Sequence, residues 1–412
     1  MSKIEDMIAE LCPYGVEYKL LGKVGTFIRG NGIQKKDFVE SGMPCIHYGQ
    51  VYTHYGTYAT VTKSFIRPEL FSKRKKANKG DLVIATTSEN AEDVCKCVAW
   101  LGDSPCAVSG DAYIYTHCLD PKYVAYFFQS DSFQNQKKRY ITGTKVLRVS
   151  GDSMAKIEIP VPPMEIQHEV VRILDSFAEL EAELEAELEA RKTQYAYYRD
   201  NLLGFEGEEV EWLTLGSIGS FIRGNGIQKK DFVEEGMPCI HYGQIYTRFG
   251  LFTDHALSRL TEEQYSRSKK AKTGDVVFAI TSENVEDVCT PLVWEGNEPV
   301  AISGHSCAYT TDRLNPRFLA YFATSAAFAK AKARVAKGTK VIEVAPVDLA
   351  RVEVPVPPIE EQGRIVAILD KFSALTTSLT DGLPAEIEAN RKRYEYYRDK
   401  LLDFPRKEGA AA

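Results

Sequence analysis

The sequence predicts an α+β protein in which two copies of one globular domain alternate with two long helices. The helices pair as a coiled coil, and a pseudo-twofold relation links the halves. The first observation is an internal repeat: residues 27–40 (FIRGNGIQKKDFVE) recur letter for letter at 221–234, 194 positions later. GMPCIHYGQ (42–50) likewise returns at 236–244, and GDLVIATTSEN (80–90) as GDVVFAITSEN (274–284). Solenoid units run to about 50 residues, so this period marks a duplicated module, and what one half binds the other is expected to bind. The second observation is the mixture, within each half, of short β-like runs and helical stretches. The third is a pair of long apolar stripes with spacings of 3 and 4 that follow proline-rich segments.

Taken in order, the expected divisions are 1–160 (a first globular domain with a short N-terminal helix), 161–206 (helical), 207–355 (the second globular domain), 356–405 (helical) and a tail, 406–412. The globular parts, about 16–160 and 210–355, show β-like runs at Leu82–Thr87, Ala112–Thr116 and Val276–Thr281, bounded by turn signals such as Gly30-Asn31-Gly32. Helical stretches are expected at Lys122–Gln129 and Arg317–Lys332. Pro160-Val-Pro-Pro163 cannot lie inside a helix and opens a new element. From there Ile166, Val170, Ile173, Phe177, Leu180, Leu184, Leu188, Tyr195, Tyr198 and Leu202 mark a helix of about 35 residues, whose AELEAELEAELEA series acts as a stutter. The partner stripe is Ile365, Leu369, Phe372, Leu375 and Leu379, then Ile387, Tyr394, Tyr397 and Leu401. Asp381-Gly382-Leu383-Pro384 breaks it with a C-cap glycine and a helix-starting proline. The sequence leaves the direction of pairing open.

With 412 residues, 44% hydrophobic and 26% charged, the chain has the composition of a globular protein of several domains. No apolar run approaches a membrane span, and the N-terminus has no apolar leader, so a cytoplasmic protein without a membrane partner is expected. The nine cysteines include no CxxC pair, which points to reduced core residues rather than a metal site. The net charge of −6 equals the six glutamates of 179–189, so the remainder is formally neutral and can carry basic faces. Candidate basic groups are Lys73, Arg74, Lys75, Lys76 and Lys79, echoed by Arg267, Lys269, Lys270 and Lys272, and also Lys137, Lys138 and Arg139.

The arrangement resembles the specificity subunit of type I restriction–modification systems over essentially the whole chain. The residues that carry the resemblance are PVPPxxxQ (160–167 and 355–362), RILD and AILD (172–175 and 367–370), GDLVIATTSENAEDV, and DGLPAEIEANRKRYEYYRDKLL (381–402). It implies that the globular parts are target recognition domains and that the chain is not itself an enzyme. It implies double-stranded DNA as ligand, two adenine-methylating M subunits as partners, and ATP-dependent R subunits reached through them. Two departures stand out: the first helix has the AELE series in place of a Gly-Leu-Pro break, and the two recognition domains, usually different, are close copies.

Catalytic motifs are missing. An adenine methyltransferase needs a glycine-rich cofactor loop and an Asn/Asp-Pro-Pro-aromatic tetrapeptide, but valine precedes both Pro-Pro pairs. Gly30 to Lys36 does not match a P-loop. No Ser/His/Asp order repeats, and no cofactor is expected. What remains is readout chemistry, in which arginine meets guanine, Asn or Gln meets adenine, and hydroxyls meet either. Arg29, Asn31, Gln34, Lys35 and Lys36, with Arg223, Asn225, Gln228, Lys229 and Lys230, form the first candidate group; the bland reading is a turn at Asn31-Gly32 beside a strand. His47, Tyr48 and Gln50, with His241, Tyr242 and Gln244, form the second. Thr87, Ser88 and Asn90, with Thr281, Ser282 and Asn284, form the third, unless Ser and Asn merely cap a turn. Thr144 and Lys145, with Thr339 and Lys340, follow a glycine and look like phosphate anchors. The rival reading is a coiled-coil scaffold whose duplicated domains bind a protein or a carbohydrate.

Overall fold

The computed structural model describes residues 2–205, 207, 209–377 and 382–407. The chain forms two compact units, one of Met1–Leu184 with Ile387–Ala412, the other of Glu185–Glu386. Each unit thus combines one globular domain with segments of both helical regions.

In the first unit a five-stranded sheet runs in the order Gly25–Arg29, Ala112–His117, Leu82–Ala85, Cys97–Trp100, Tyr58–Ala59. Its inner strands read LVIA and CVAW, buried at every position, as expected of strands covered on both faces. Trp100 is 1% exposed, and burying a side chain of this size contributes about 2–3 kcal/mol. A second sheet is ordered Phe38–Val39, Ser64–Ile66, Met43–Ile46, Cys106–Val108, Lys76–Ala77. The second unit repeats the plan. Ser220–Arg223, Ser306–Thr310, Val276–Ala279, Thr290–Trp294 and Phe252–Thr253 form its larger sheet. Ser258–Leu260, Met237–Ile240, Val300–Ile302 and Lys270–Ala271 form the smaller one.

The expected helix over 122–129 is Pro121–Gln129; Asp120 caps it by accepting from the amides of Lys122 and Tyr123, with proline in the first turn. The stretch expected as one helix over 317–332 is two, Pro316–Phe322 and Ala326–Val335. It breaks because Ser325 caps the second helix at the Phe328 amide, and because the Asp200 carboxylate accepts from the Ala326 amide at 3.2 Å. Asp399 does the same for Asp131 in the first unit, at 2.8 Å, so the aspartate of each YYRD segment caps a domain helix.

The first long helix is Met164–Gly204, 41 residues, longer than its stripe predicted. The glutamine of PVPPxxxQ fastens its start to the domain. Gln167, 1% exposed, accepts from the Asp120 amide (3.0 Å) and donates to the Pro162 carbonyl (2.8 Å). Gln362 repeats both bonds with Asn315 (2.6 Å) and Pro357 (2.8 Å). The aspartates of RILD and AILD add a second tie: Asp175 to Lys122 and Tyr126, and Asp370 to Arg317 and Tyr321.

In the first unit Phe177 stacks on Tyr397 and Glu181 pairs with Arg391, so Met164–Leu184 runs antiparallel to the helix Leu383–Leu402. In the second, Tyr198 stacks on Phe372 of the helix Ile359–Thr377. The AELE leucines are less covered than a seam requires: Leu180 is 42% exposed, and Leu184 and Leu188 are half-exposed. Four-residue steps overshoot a turn by about 40°, so the row winds out of a fixed seam. Gly382 breaks the second helical region with φ +84°. Leu379 and Asp381 lie outside the described residues, as does the side chain of Leu375.

All nine cysteines are free; seven are buried, Cys12 is half-buried and Cys118 is exposed. Among the described residues no helix is long and apolar enough to cross a membrane.

Candidate nucleic-acid interface

The candidate segments meet because strand ends and hairpins converge at one edge of each domain. Arg29 and Arg223 are the last residues of their strands. The following glycine lies against a neighbouring turn, where a Cβ on Gly30 or Gly224 would stand 2.2 Å from the Ser109 or Ser303 carbonyl oxygen. Only glycine fits there. The approach leaves the Arg29 Nε donating to the Gly110 carbonyl at 2.9 Å, and the Arg223 Nε to that of Gly304 at 3.2 Å. Both guanidinium groups remain exposed.

Asn31 fastens this loop to the basic loop. Its carbonyl accepts from the Lys75 amide (2.8 Å) and its Nδ2 faces the Lys73 carbonyl (3.4 Å). Asn225 repeats this with Lys269 and Arg267. The amides of both asparagines are therefore engaged inside the protein, while Lys73, Lys75, Arg267 and Lys269 stay exposed. Gln34 and Gln228 precede 3-10 turns whose Lys35, Lys36, Lys229 and Lys230 are also exposed.

His47 caps the helix Tyr48–Thr53, its Nδ1 accepting from the Gly49 amide at 3.2 Å; His241 does the same for Gly243. Burial, reinforced by Lys35 or Lys229, pushes both imidazoles below their ordinary pKa. With Nδ1 accepting, the neutral ring carries its proton on Nε2 as a donor. Gln50 is committed internally, to the His47 amide (3.1 Å) and Ser64 (2.6 Å), as is Gln244 to His241 and Ser258. Asn90 and Asn284 close turns with Asp93 and Asp287, so the capping reading of these residues describes their present bonds.

The TSEN segments are short strands. Thr87–Ser88 pairs with Leu147–Arg148, and Thr281–Ser282 with Ile342–Glu343. This pairing, not expected from sequence, joins TSEN to a hairpin, 142–148 or 337–343, which carries Thr144-Lys145 or Thr339-Lys340. Its tip requires glycine, since Gly143 and Gly338 have φ of +99° and +117°. Tyr52 and Tyr246 hold the capped helix to the same segment through the Thr87 and Thr281 carbonyls (3.0 and 2.9 Å).

In the second unit these elements enclose a groove of about 1000 Å³ lined by Lys229, His241, Tyr242, Gln244, Thr281, Ser282 and Asn284. Arg223, Asn225, Gln228 and Lys230 lie off its lining, as do Thr339 and Lys340, although their neighbour Val341 is part of it. Arg248 also lines it; its repeat partner is His54.

One expectation is corrected. Lys137, grouped with Lys138 and Arg139 as a surface base, is 1% exposed and donates to the Glu92 and Val94 carbonyls. Lys332 is its copy in the second unit. Asp111 lies 3.6 Å from Arg29 and Glu343 lies 2.8 Å from Arg223; these two and their repeat partners His305 and Arg148 are not singled out from sequence. Comparing the repeats position by position would have found them, because both pairs differ in charge type. Among the described residues no group of three or more His, Cys, Asp or Glu could hold a metal ion.

Known proteins resemble this chain in sequence and fold. The profile of the type I restriction modification DNA specificity domain matches residues 13–190 and 207–389. A type I restriction enzyme specificity subunit of Escherichia coli is 37% identical over 271 residues, 63% of this chain and 66% of that one, so the match spans just under two thirds of the relative. A Haemophilus influenzae protein assigned as a type I restriction enzyme specificity subunit is 31% identical over 284 residues, covering 64% of this chain and 68% of its own. A chain solved in work on assembly of the type I R-M system shares the fold, with TM-score 0.66, 19% identity and coverage of 94% and 97%. The duplicated domains, the helical segments that fasten to them and the two matched regions place this chain in the type I restriction–modification DNA specificity family.

Proposed function

We propose that this chain is the non-catalytic sequence-specificity subunit of a type I restriction–modification complex. Each globular domain reads one half of a bipartite, near-palindromic duplex target. The chain positions two adenine-methylating M subunits and, through them, ATP-dependent R subunits. The observation that carries the reading is the duplicated edge itself. In both units the same register joins TSEN to the hairpin that carries Thr-Lys, and the same asparagine joins the Arg-Gly-Asn-Gly loop to exposed lysines. Arginine and the half-buried hydroxyls of Ser88 and Ser282 supply base-edge donors and acceptors, while Lys35, Lys36, Lys145 and their copies supply phosphate charge.

Binding to random duplex at several salt concentrations tests this reading. Phosphate contacts make log K fall linearly with log salt, by about 0.9 per contact. A slope of several units supports DNA binding. Salt-independent or undetectable duplex binding would leave the chain a scaffold for a protein or carbohydrate ligand.

A further inference from the structure

The two domains are near copies, yet the surroundings of their leading arginines are exchanged in charge. In the first unit the Arg29 guanidinium stands 3.6 Å from Asp111, and Arg148 lies on the hairpin strand opposite Thr87. In the second, position 111 is replaced by His305 and position 148 by Glu343. The register is the same, since Glu343 lies opposite Thr281 as Arg148 lies opposite Thr87. The consequences differ. The Arg223 terminal nitrogen donates to Glu343 at 2.8 Å, and the side chain is 47% exposed; the Arg29 side chain is 65% exposed. His305 instead turns to Thr281, with Nδ1 3.1 Å from the hydroxyl. The first edge therefore carries two arginines against one carboxylate, the second one arginine held by one carboxylate.

We infer that Asp111/Arg148 and His305/Glu343 make the two half-sites differ at the base pair these arginines face. This rests on the DNA-reading function proposed above. Arg29, loosely held and with an arginine in the register position that Glu343 takes in the other unit, presents donors toward the acceptor-rich edge of guanine. Glu343 takes one terminal donor of Arg223 and offers carboxylate oxygens, which accept from an amino group and repel guanine O6 and N7. The first half-site has guanine at this position. The second has a base that presents an amino group in the major groove, cytosine or adenine.

The test is selection from random duplexes by the full chain in its methyltransferase complex. Three forms are compared: wild type, His305→Asp with Glu343→Arg, and Asp111→His with Arg148→Glu. All four positions are at least partly exposed, and the exchanges act on different units, so each checks the other. The wild-type halves are expected to differ at this position. The first exchange should turn the second half toward guanine there, and the second exchange should turn the first half away from it, each by roughly tenfold in preference. Wild-type halves identical throughout, or both letters unmoved by the exchanges, would overturn the inference while leaving DNA reading intact. No selected motif from the wild type would instead remove DNA reading, and the inference with it.

Discussion

The Nζ of Lys137 lies 2.7 Å from the carbonyl oxygen of Val94 and 2.8 Å from that of Glu92, beneath the loop that follows TSEN. Lys332 repeats this with Val288 and Glu286. The loop returns through Cys95 and Cys289, non-glycine residues at φ +72° and +65°, a conformation that needs support from its surroundings. Lys137→Met would leave the buried Val94 carbonyl without its partner, at a cost of about 1–3 kcal/mol. Amide exchange in 86–96 is expected to speed up before the rest of that unit. Unchanged protection there would show that the lysine does not hold the loop.

Acid should weaken the two units unequally. Burial lowers the His117 pKa to about 4, and its Nε2 is buried without a hydrogen-bond partner. In the unfolded chain this histidine titrates near 6.5, so the unfolded state binds more protons between about pH 6.5 and 4. The stability from the neutral ring is present above pH 6.5 and is lost as pH falls toward 4, by up to about 3 kcal/mol. The second unit has Thr311 at the equivalent position. Denaturant unfolding from pH 7 to 4 should show a steeper loss in wild type than in His117→Thr; equal slopes would contradict the assignment.

Base readout and phosphate anchoring should separate by mutation. Arg29→Ala is expected to cost roughly 1–3 kcal/mol and relax one position of one half-site. Lys145→Ala should weaken all sequences alike and lower the salt slope by about one unit. Competition titrations with single-base variants at several salt concentrations distinguish the two. An unaltered base preference after Arg29→Ala would remove that residue from readout.

The AELE series is expected to set the distance between half-sites. One added tetrapeptide lengthens a helix by about 6 Å and turns its end by about 40°. One base pair advances DNA by about 3.4 Å and roughly 35°. A four-residue insertion within 178–190 should therefore shift the preferred spacer by about one base pair with both half-sites unaltered. An unchanged spacer in the mapped methylation motif would mean that this helix is not the ruler.

What was legible in the sequence is what repeats or has a period. The duplication, the Pro-Val-Pro-Pro starts, the Gly382 break and the inner strands LVIA and VVFA are all written in local composition. The pairing of Thr87–Ser88 with Leu147–Arg148 was not, because two-residue strands carry no periodic signal and these two lie far apart in the chain. The burial of Lys137 was hidden for a related reason: a lysine in a basic run looks solvated until carbonyls from a distant loop are placed at its tip. The reading candidates divided along the same line. Asn31, Gln50 and Asn90 have the right chemistry for adenine, yet their side chains already hold the protein's own backbone or neighbours. Arg29 and the lysines that follow it remain exposed.

On the proposed function, each unit reads its own half of one duplex target. Mapping adenine methylation across a genome carrying this chain with its methyltransferase partner tests it most directly. The expected result is one interrupted motif whose halves are closely related and inverted, with substitutions in 27–50 changing one half and substitutions in 221–244 the other. A motif with unrelated halves, or one in which changes confined to a single unit alter both halves, would contradict it.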